Sequence, residues 1–161
     1  MAGNAFRDAP GPVGFGGAET AGRAFVILVD TSVWIEVFRK QRSLDLESLV
    51  AFDEVVVCLP IVQEILQGIR DEASYRVARD ALLSMPMIES PMPEEVFLEA
   101  AQLYRAARRA GLTIRSGVDC LIAACAIRHD VTVLHRDRDF AALARVSSLK
   151  ARQVDRPASA G

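Results

Sequence analysis

The chain has 161 residues, 51% apolar and 25% charged, which suits one globular domain with its own core and excludes a disordered or collagen-like chain. Its cysteines, Cys58, Cys120 and Cys125, are odd in number and contain no CxxC pair. Neither a disulfide framework nor a zinc site is indicated, and a reducing, cytoplasmic setting is expected.

The net charge of −2 conceals an asymmetry: residues 1–100 carry 8 Lys/Arg against 16 Asp/Glu, whereas residues 101–152 carry 10 against 4. A basic second half points either to a phosphate-bearing partner or to a solvated helix face. No apolar run approaches the ~18 residues that span a bilayer, so no membrane role is expected. Residues 1–24 hold six of the ten glycines and no continuous apolar stretch. They read as a flexible leader, or as an extension upstream of a start nearer the first strand, and not as a secretory signal. The folded domain is expected over 25–154, with 155–161 as a tail.

Phe25–Val29 (FVILV) is wholly apolar and rich in β-branched residues, the pattern of a strand buried on both faces. Asp30-Thr31-Ser32 are helix-capping types, and a helix over 33–40 would end on Arg39 and Lys40. A second strand over 55–59 runs into Pro60, which suits a first helical turn, with Ile61, Ile65 and Leu66 at helical spacing up to Gly68. A helix over 71–85 presents Tyr75, Ala78, Leu82 and Leu83. After the break at Ser90–Pro93, a strong helix over 94–109 presents Val96, Ala100, Leu103, Tyr104 and Ala107, with Gly111 as its cap. Asp119 opens an almost continuously apolar helix over 120–127, followed by a strand over 131–134, a polar exit loop over 135–140, a short helix over 140–144 and a last strand over 149–154. Strands alternating with helices predict an α/β sandwich with a mainly parallel central sheet.

In such a sheet, function gathers outside the carboxyl ends of the strands. Asp30 follows the first strand, Glu64 lies one turn into the helix after the second, Asp119 begins the buried helix, and Asp137 and Asp139 follow the strand over 131–134. Taken singly, each has a plainer reading: Asp30 and Asp119 as helix caps, Glu64 as an exposed helix residue, Asp137 and Asp139 as loop solvation. Taken together, acids from four elements at one sheet edge would repel one another unless protonated or joined by a divalent cation. Mg²⁺, with Mn²⁺ as a substitute, prefers such oxygen ligands and suits phosphodiester hydrolysis. Arg108, Arg109, Arg115, Arg136 and Arg138 are candidate contacts to a nucleic-acid backbone. His135 is read as structural, and Trp34 as packing in a core or an interface.

The blocks DTSVWI (30–35), PIVQEILQG (60–68), DCLIAA (119–124) and HRDRDF (135–140), in that order, resemble the PIN-domain ribonucleases of the VapC toxin family over roughly residues 25–154. The segment from Tyr104 to Ile127 resembles an actinobacterial VapC subgroup. The resemblance implies a PIN-like three-layer sandwich and a Mg²⁺-dependent endoribonuclease, the toxin of a toxin–antitoxin pair, cutting transfer RNA or another structured RNA. It further implies a VapB-like antitoxin as partner and a homodimer. Asp30, Glu64 and Asp119 match the family's metal-site acids, and Asp137 matches a fourth that is usually Asp or Asn. Asp139 stands before the family's Phe as a further candidate ligand, and Ser32 matches its supporting hydroxyl. Trp34, Ile35, Val37 and Phe38 are more apolar than one buried helical stripe requires, and the resemblance implies that some of that surface receives an antitoxin segment.

Other classes fit less well. A phosphoacceptor receiver would need a late-strand lysine, and the only lysines are Lys40 and Lys150; a nucleotide-binding domain would need a glycine-rich loop where Asp30-Thr31-Ser32 stands. The alternatives within reach are an RNA-processing nuclease without an antitoxin and a non-catalytic binding module on the same fold.

Overall fold

The structure, a computed structural model, describes residues 26–38 and 44–155. The expected leader, Phe25, the basic helix end at Arg39 and Lys40, and residues 156–161 lie outside the described residues, as does the side chain of Phe38.

β1 (Ile27–Val29) is buried at every position, as an apolar run without a polar face must be. It leads into α1 (Thr31–Phe38), and a 3₁₀ turn over Phe52–Glu54 precedes β2 (Val55–Val56) and α2 (Leu59–Gln67). Then come α3 (Glu72–Ser84), α4 (Glu94–Arg109), α5 (Gly117–Arg128), β3 (Thr132–His135), α6 (Arg138–Ala144) and β4 (Lys150–Gln153). The strands pair in the order β2-β1-β3-β4, all parallel, flanked by six helices among the described residues. The expected α/β architecture is therefore present, with its sheet wholly parallel.

A further segment extends the β2 edge. Val57 N donates to Pro86 O (3.0 Å) and Ile88 N donates to Val57 O (2.9 Å), making a parallel bridge between Val57 and Met87. The strand expected over 55–59 thus ends early, and α2 starts at Leu59 with Pro60 buried in its first turn.

Strand order fixes where a cleft can form. From β1 the chain moves to β2 on one side; from β3 it moves to β4 on the other. The direction switches between β1 and β3, and the crevice outside their carboxyl ends is where open parallel sheets place ligands. Just past those ends, Asp30 N donates to Leu134 O (2.9 Å), holding the two exits side by side.

The helices follow the apolar pattern with two corrections. On α3 the buried residues are Ala78, Ala81 and Leu82, while Leu83 is 54% exposed. Leu83 is rotated a further 100° from Leu82, which takes it off the Ala78–Leu82 face. On α4, Val96, Ala100 and Ala107 are buried, while Tyr104 lies at the edge of that stripe and is exposed. Helix α4 ends as Gly111 predicts: Gly111 has φ +73°, and Leu112 N reaches back to Ala107 O (2.9 Å), a closure that suits a residue without Cβ. Helix α5 packs against α4 and is buried almost all round, from Asp119 and Cys120 to Ala126. The three cysteines are free and buried. No helix among the described residues is long and apolar enough to cross a membrane.

Candidate active site

Asp30 serves two purposes at the end of β1. Its carbonyl accepts from Val33 N (2.9 Å) and Trp34 N (3.2 Å), so α1 starts on it. Its Oδ2 accepts from Ser32 N (2.9 Å) and from Ser32 Oγ. The second oxygen, Oδ1, is buried and has no hydrogen-bond donor. Capping therefore engages the carbonyl and Oδ2 of Asp30 and leaves Oδ1 without a donor.

Asp119 is not a cap. Ser116 caps α5, its Oγ accepting from Val118 N (3.2 Å), and α5 begins at Gly117. That places Asp119 in the first turn, nearly buried, with its carboxylate released from capping. Glu64 sits on α2, where Thr31 Oγ1 donates to its Oε2 (2.9 Å). Asp30, Glu64 and Asp119 each offer an oxygen, and the three oxygens lie within 4.8 Å of one another. Asp119, Asp137 and Asp139 form a second triplet of the same kind, so Asp119 is shared by both.

The acids carry the electrostatic mark of this crowding. Burial, with the neighbouring carboxylates Asp30, Asp137, Glu64 and Asp139 adding repulsion, pushes the Asp119 carboxyl up to about 8. Burial likewise raises Asp30, against the lowering effect of its Ser32 hydrogen bonds. Glu64 is raised by burial and by Asp30 and Asp137, and is partly relieved by Thr31. Buried carboxyls that resist ionisation, an orphaned buried Oδ1 and a triplet of hard oxygen donors fit a divalent ion such as Mg²⁺ or Mn²⁺.

Asp137 and Asp139 are engaged differently. Asp137 caps α6, which starts at Arg138, two residues before the expected Phe140; its Oδ1 accepts from Asp139 N (3.0 Å). Arg115, in the loop before α5, binds both acids. Its N donates to Asp139 Oδ2 (2.7 Å), its Nε to Asp139 Oδ1 (3.3 Å) and its Nη2 to Asp137 Oδ1.

Among the other candidates, Ser32 Oγ also accepts from Arg136 N (3.0 Å), tying the β1 exit to the β3 exit. The Arg136 side chain is largely buried and paired with Glu36 (3.3 Å). Arg108, Arg109 and Arg138 are exposed. Burial holds the His135 imidazole below its usual value, and its ring packs on Phe140 with centroids 5.2 Å apart, as a core residue would. Trp34 is buried, while Ile35 beside it is 50% exposed. Thr31 is the cleft residue that sequence reasoning misses: it is legible only as a capping type, and its contact with Glu64 spans 33 positions. Removing a hydroxyl that orients a metal-site carboxylate typically costs 10–100-fold in affinity. Thr31→Val is accordingly expected to weaken Mn²⁺ binding by at least about tenfold with the fold retained, as measured by calorimetric titration.

Comparison with known proteins gives the family and the fold. The VapC ribonuclease Mb1587 of Mycobacterium bovis is 40% identical over 131 residues, covering 78% of this chain and 97% of that protein. Ribonuclease VapC11 of Mycobacterium tuberculosis matches with the same identity and coverage. Among solved structures, VapBC-5 of M. tuberculosis, a member of the VapBC toxin–antitoxin family, superposes with a TM-score of 0.58 at 26% identity, over 81% of this chain and 99% of that one. VapBC2 of Rickettsia felis bound to a promoter DNA fragment shares the fold, with a TM-score of 0.62 at 16% identity over 81% and 99%. The PIN domain family model matches residues 27–146, from the start of β1 to just beyond α6, a span that takes in all five acids. With that match and relatives at 40% identity, the chain belongs to the PIN-domain family, in its VapC branch.

Proposed function

We propose that this protein is a divalent-metal-dependent endoribonuclease and the toxin of a VapBC-type pair, acting on transfer RNA or another structured RNA in the cytoplasm. The observation that carries the reading is the convergence of Asp30, Glu64 and Asp119 from three separate elements, with Asp30 Oδ1 buried and without a donor. Asp30, Glu64 and Asp119 would hold Mg²⁺ or Mn²⁺, with Asp137 beside them. The ion would supply Lewis-acid polarisation of a phosphate and a lowered pKa for its bound water.

The chain's own residues do the rest. Ser32 fixes the Asp30 rotamer through two donors, and Thr31 fixes Glu64. Ser116 caps α5, and the Asp119 carboxylate stands with the other acids of the cleft. Arg108 and Arg109, in the last turn of α4, and Arg138, at the start of α6, offer exposed guanidinium groups to the RNA backbone. Exposed Ile35, with half-buried Val37, offers an apolar surface to a VapB-like segment. A homodimer is proposed on the family resemblance.

The test is cleavage of labelled transfer RNA and ribosomal RNA loops by the purified chain. Cleavage with Mg²⁺ or Mn²⁺ that is lost in EDTA, and suppressed by the product of an adjacent small gene, supports the whole reading. Cleavage that no such product suppresses favours a processing nuclease, and metal-independent or absent cleavage overturns the proposal.

The arginines make a separate expectation. In an inactive Asp119→Asn background, Arg108→Ala, Arg109→Ala or Arg138→Ala should weaken RNA binding across sequences and flatten the salt dependence by about one unit for each phosphate left without its arginine. Binding measured by fluorescence anisotropy at several salt concentrations reads both quantities. Arg136→Ala should act mainly through loss of its ion pair with Glu36.

A further inference from the structure

The acidic cleft is built as two overlapping triplets, and the two halves are not alike. In the half formed by Asp30, Glu64 and Asp119, the donors among the described residues are hydroxyl and backbone groups that reach Asp30 and Glu64, and one buried oxygen has none. In the half formed by Asp119, Asp137 and Asp139, a cation is already in place: the Arg115 guanidinium touches Asp137 and Asp139, and the Arg115 backbone N–H also binds Asp139.

Resting on the metal-dependent reading above, we infer that Arg115 is a built-in cation occupying the second half of the cleft, so that the protein binds one divalent ion, at Asp30, Glu64 and Asp119, and not two. Asp139 then works through Arg115 as a positioning residue.

The anchoring is stronger than that of a surface ion pair. The Asp139 side chain is 1% exposed and both its oxygens accept from Arg115, so the arginine is fixed at its backbone as well as at its side chain. The same contact joins the loop before α5 to the first turn of α6, and so sets Asp119 and Asp137 side by side. A guanidinium keeps its proton at any pH the protein meets. A second divalent ion would have to share Asp119 with the first and take Asp137 at about 2.1 Å, directly against that fixed positive charge. The outer face of Arg115 remains open, its side chain being 50% exposed. The guanidinium can therefore meet a phosphate at the cleft mouth without leaving its two carboxylates.

The experiment is a Mn²⁺ titration of the metal-free full chain, with free Mn²⁺ followed by its electron paramagnetic resonance signal and folding checked by circular dichroism. The wild type should bind one Mn²⁺ per chain, Arg115→Ala or Arg115→Gln should bind two, and Arg115→Lys should stay at one. Two ions in the wild type overturn the inference without disturbing the ribonuclease proposal. A single ion in folded Arg115→Ala and Arg115→Gln also overturns it. No bound ion in the wild type overturns both this inference and the metal-dependent reading beneath it.

Discussion

Asp119→Asn is expected to lose RNA cleavage by about 10³-fold and yet to give a metal-free protein more stable than the wild type. The two effects share one cause. Asp119 belongs to both acid triplets, so replacing it by asparagine takes an anionic ligand from the proposed metal and one negative charge from both halves of the cleft. In the metal-free protein, burial and four neighbouring carboxylates hold its carboxyl up at about 8, against ~3.9 in an unfolded chain. Between those values the folded state carries a proton that the unfolded state has released, so the stability of the metal-free wild type falls as pH rises through the window, and the full cost is present above it. Asparagine has no such proton to lose. In a cleft that water enters, the gain should be about 1–3 kcal/mol at pH 8 and near zero at pH 4. Thermal unfolding in EDTA at both values reads it. A variant less stable than the wild type at pH 8 would mean that Asp119 is held by partners rather than repelled by neighbours.

The second large effect concerns the metal itself. An ion bound to Asp119 needs the ionised carboxylate, so below about pH 8 binding must expel a proton. The dissociation constant for Mn²⁺ should tighten by up to about tenfold per pH unit between pH 6 and 8 and level off above. Burial raises Asp30 and Glu64 in the same direction. Calorimetry in buffers of different protonation enthalpy would show the released proton directly. In Asp119→Asn the slope should shrink along with the affinity, whereas a dissociation constant independent of pH in the wild type would separate the metal from this carboxyl.

Much of the fold is legible in the chain because local signals agree with tertiary ones. The FVILV run, the capping residues after it, Pro60 and Gly111 each specify an element boundary through backbone chemistry alone, and the structure shows a boundary near each among the described residues. The acids are legible for a related reason: in a parallel sheet, the position after a strand is already a position at the cleft. What the sequence withholds depends on contacts between distant segments. The bridge between Val57 and Met87 involves a stretch, Met85-Pro86-Met87-Ile88, with no strand pattern of its own. Asp119 resembles a cap because Ser116, three residues earlier, is an equally good one, and only the start of α5 decides between them. Thr31 with Glu64, and Arg115 with Asp139, are pairs 33 and 24 positions apart that no periodicity announces. Apolar character alone assigns Leu83 and Tyr104 to buried faces; helix geometry puts both beyond the edge of their stripes.

On the proposed function, the acids at the switch between β1 and β3 hold the divalent ion on which RNA hydrolysis depends. Anomalous scattering from crystals grown with Mn²⁺ tests this most directly. A manganese peak is expected within coordination distance of carboxylate oxygens of Asp30, Glu64 and Asp119, with the Asp30 Oδ1 that lacks a donor among its ligands. A cleft without a peak in crystals of an active preparation, or manganese bound only elsewhere on the chain, would contradict it.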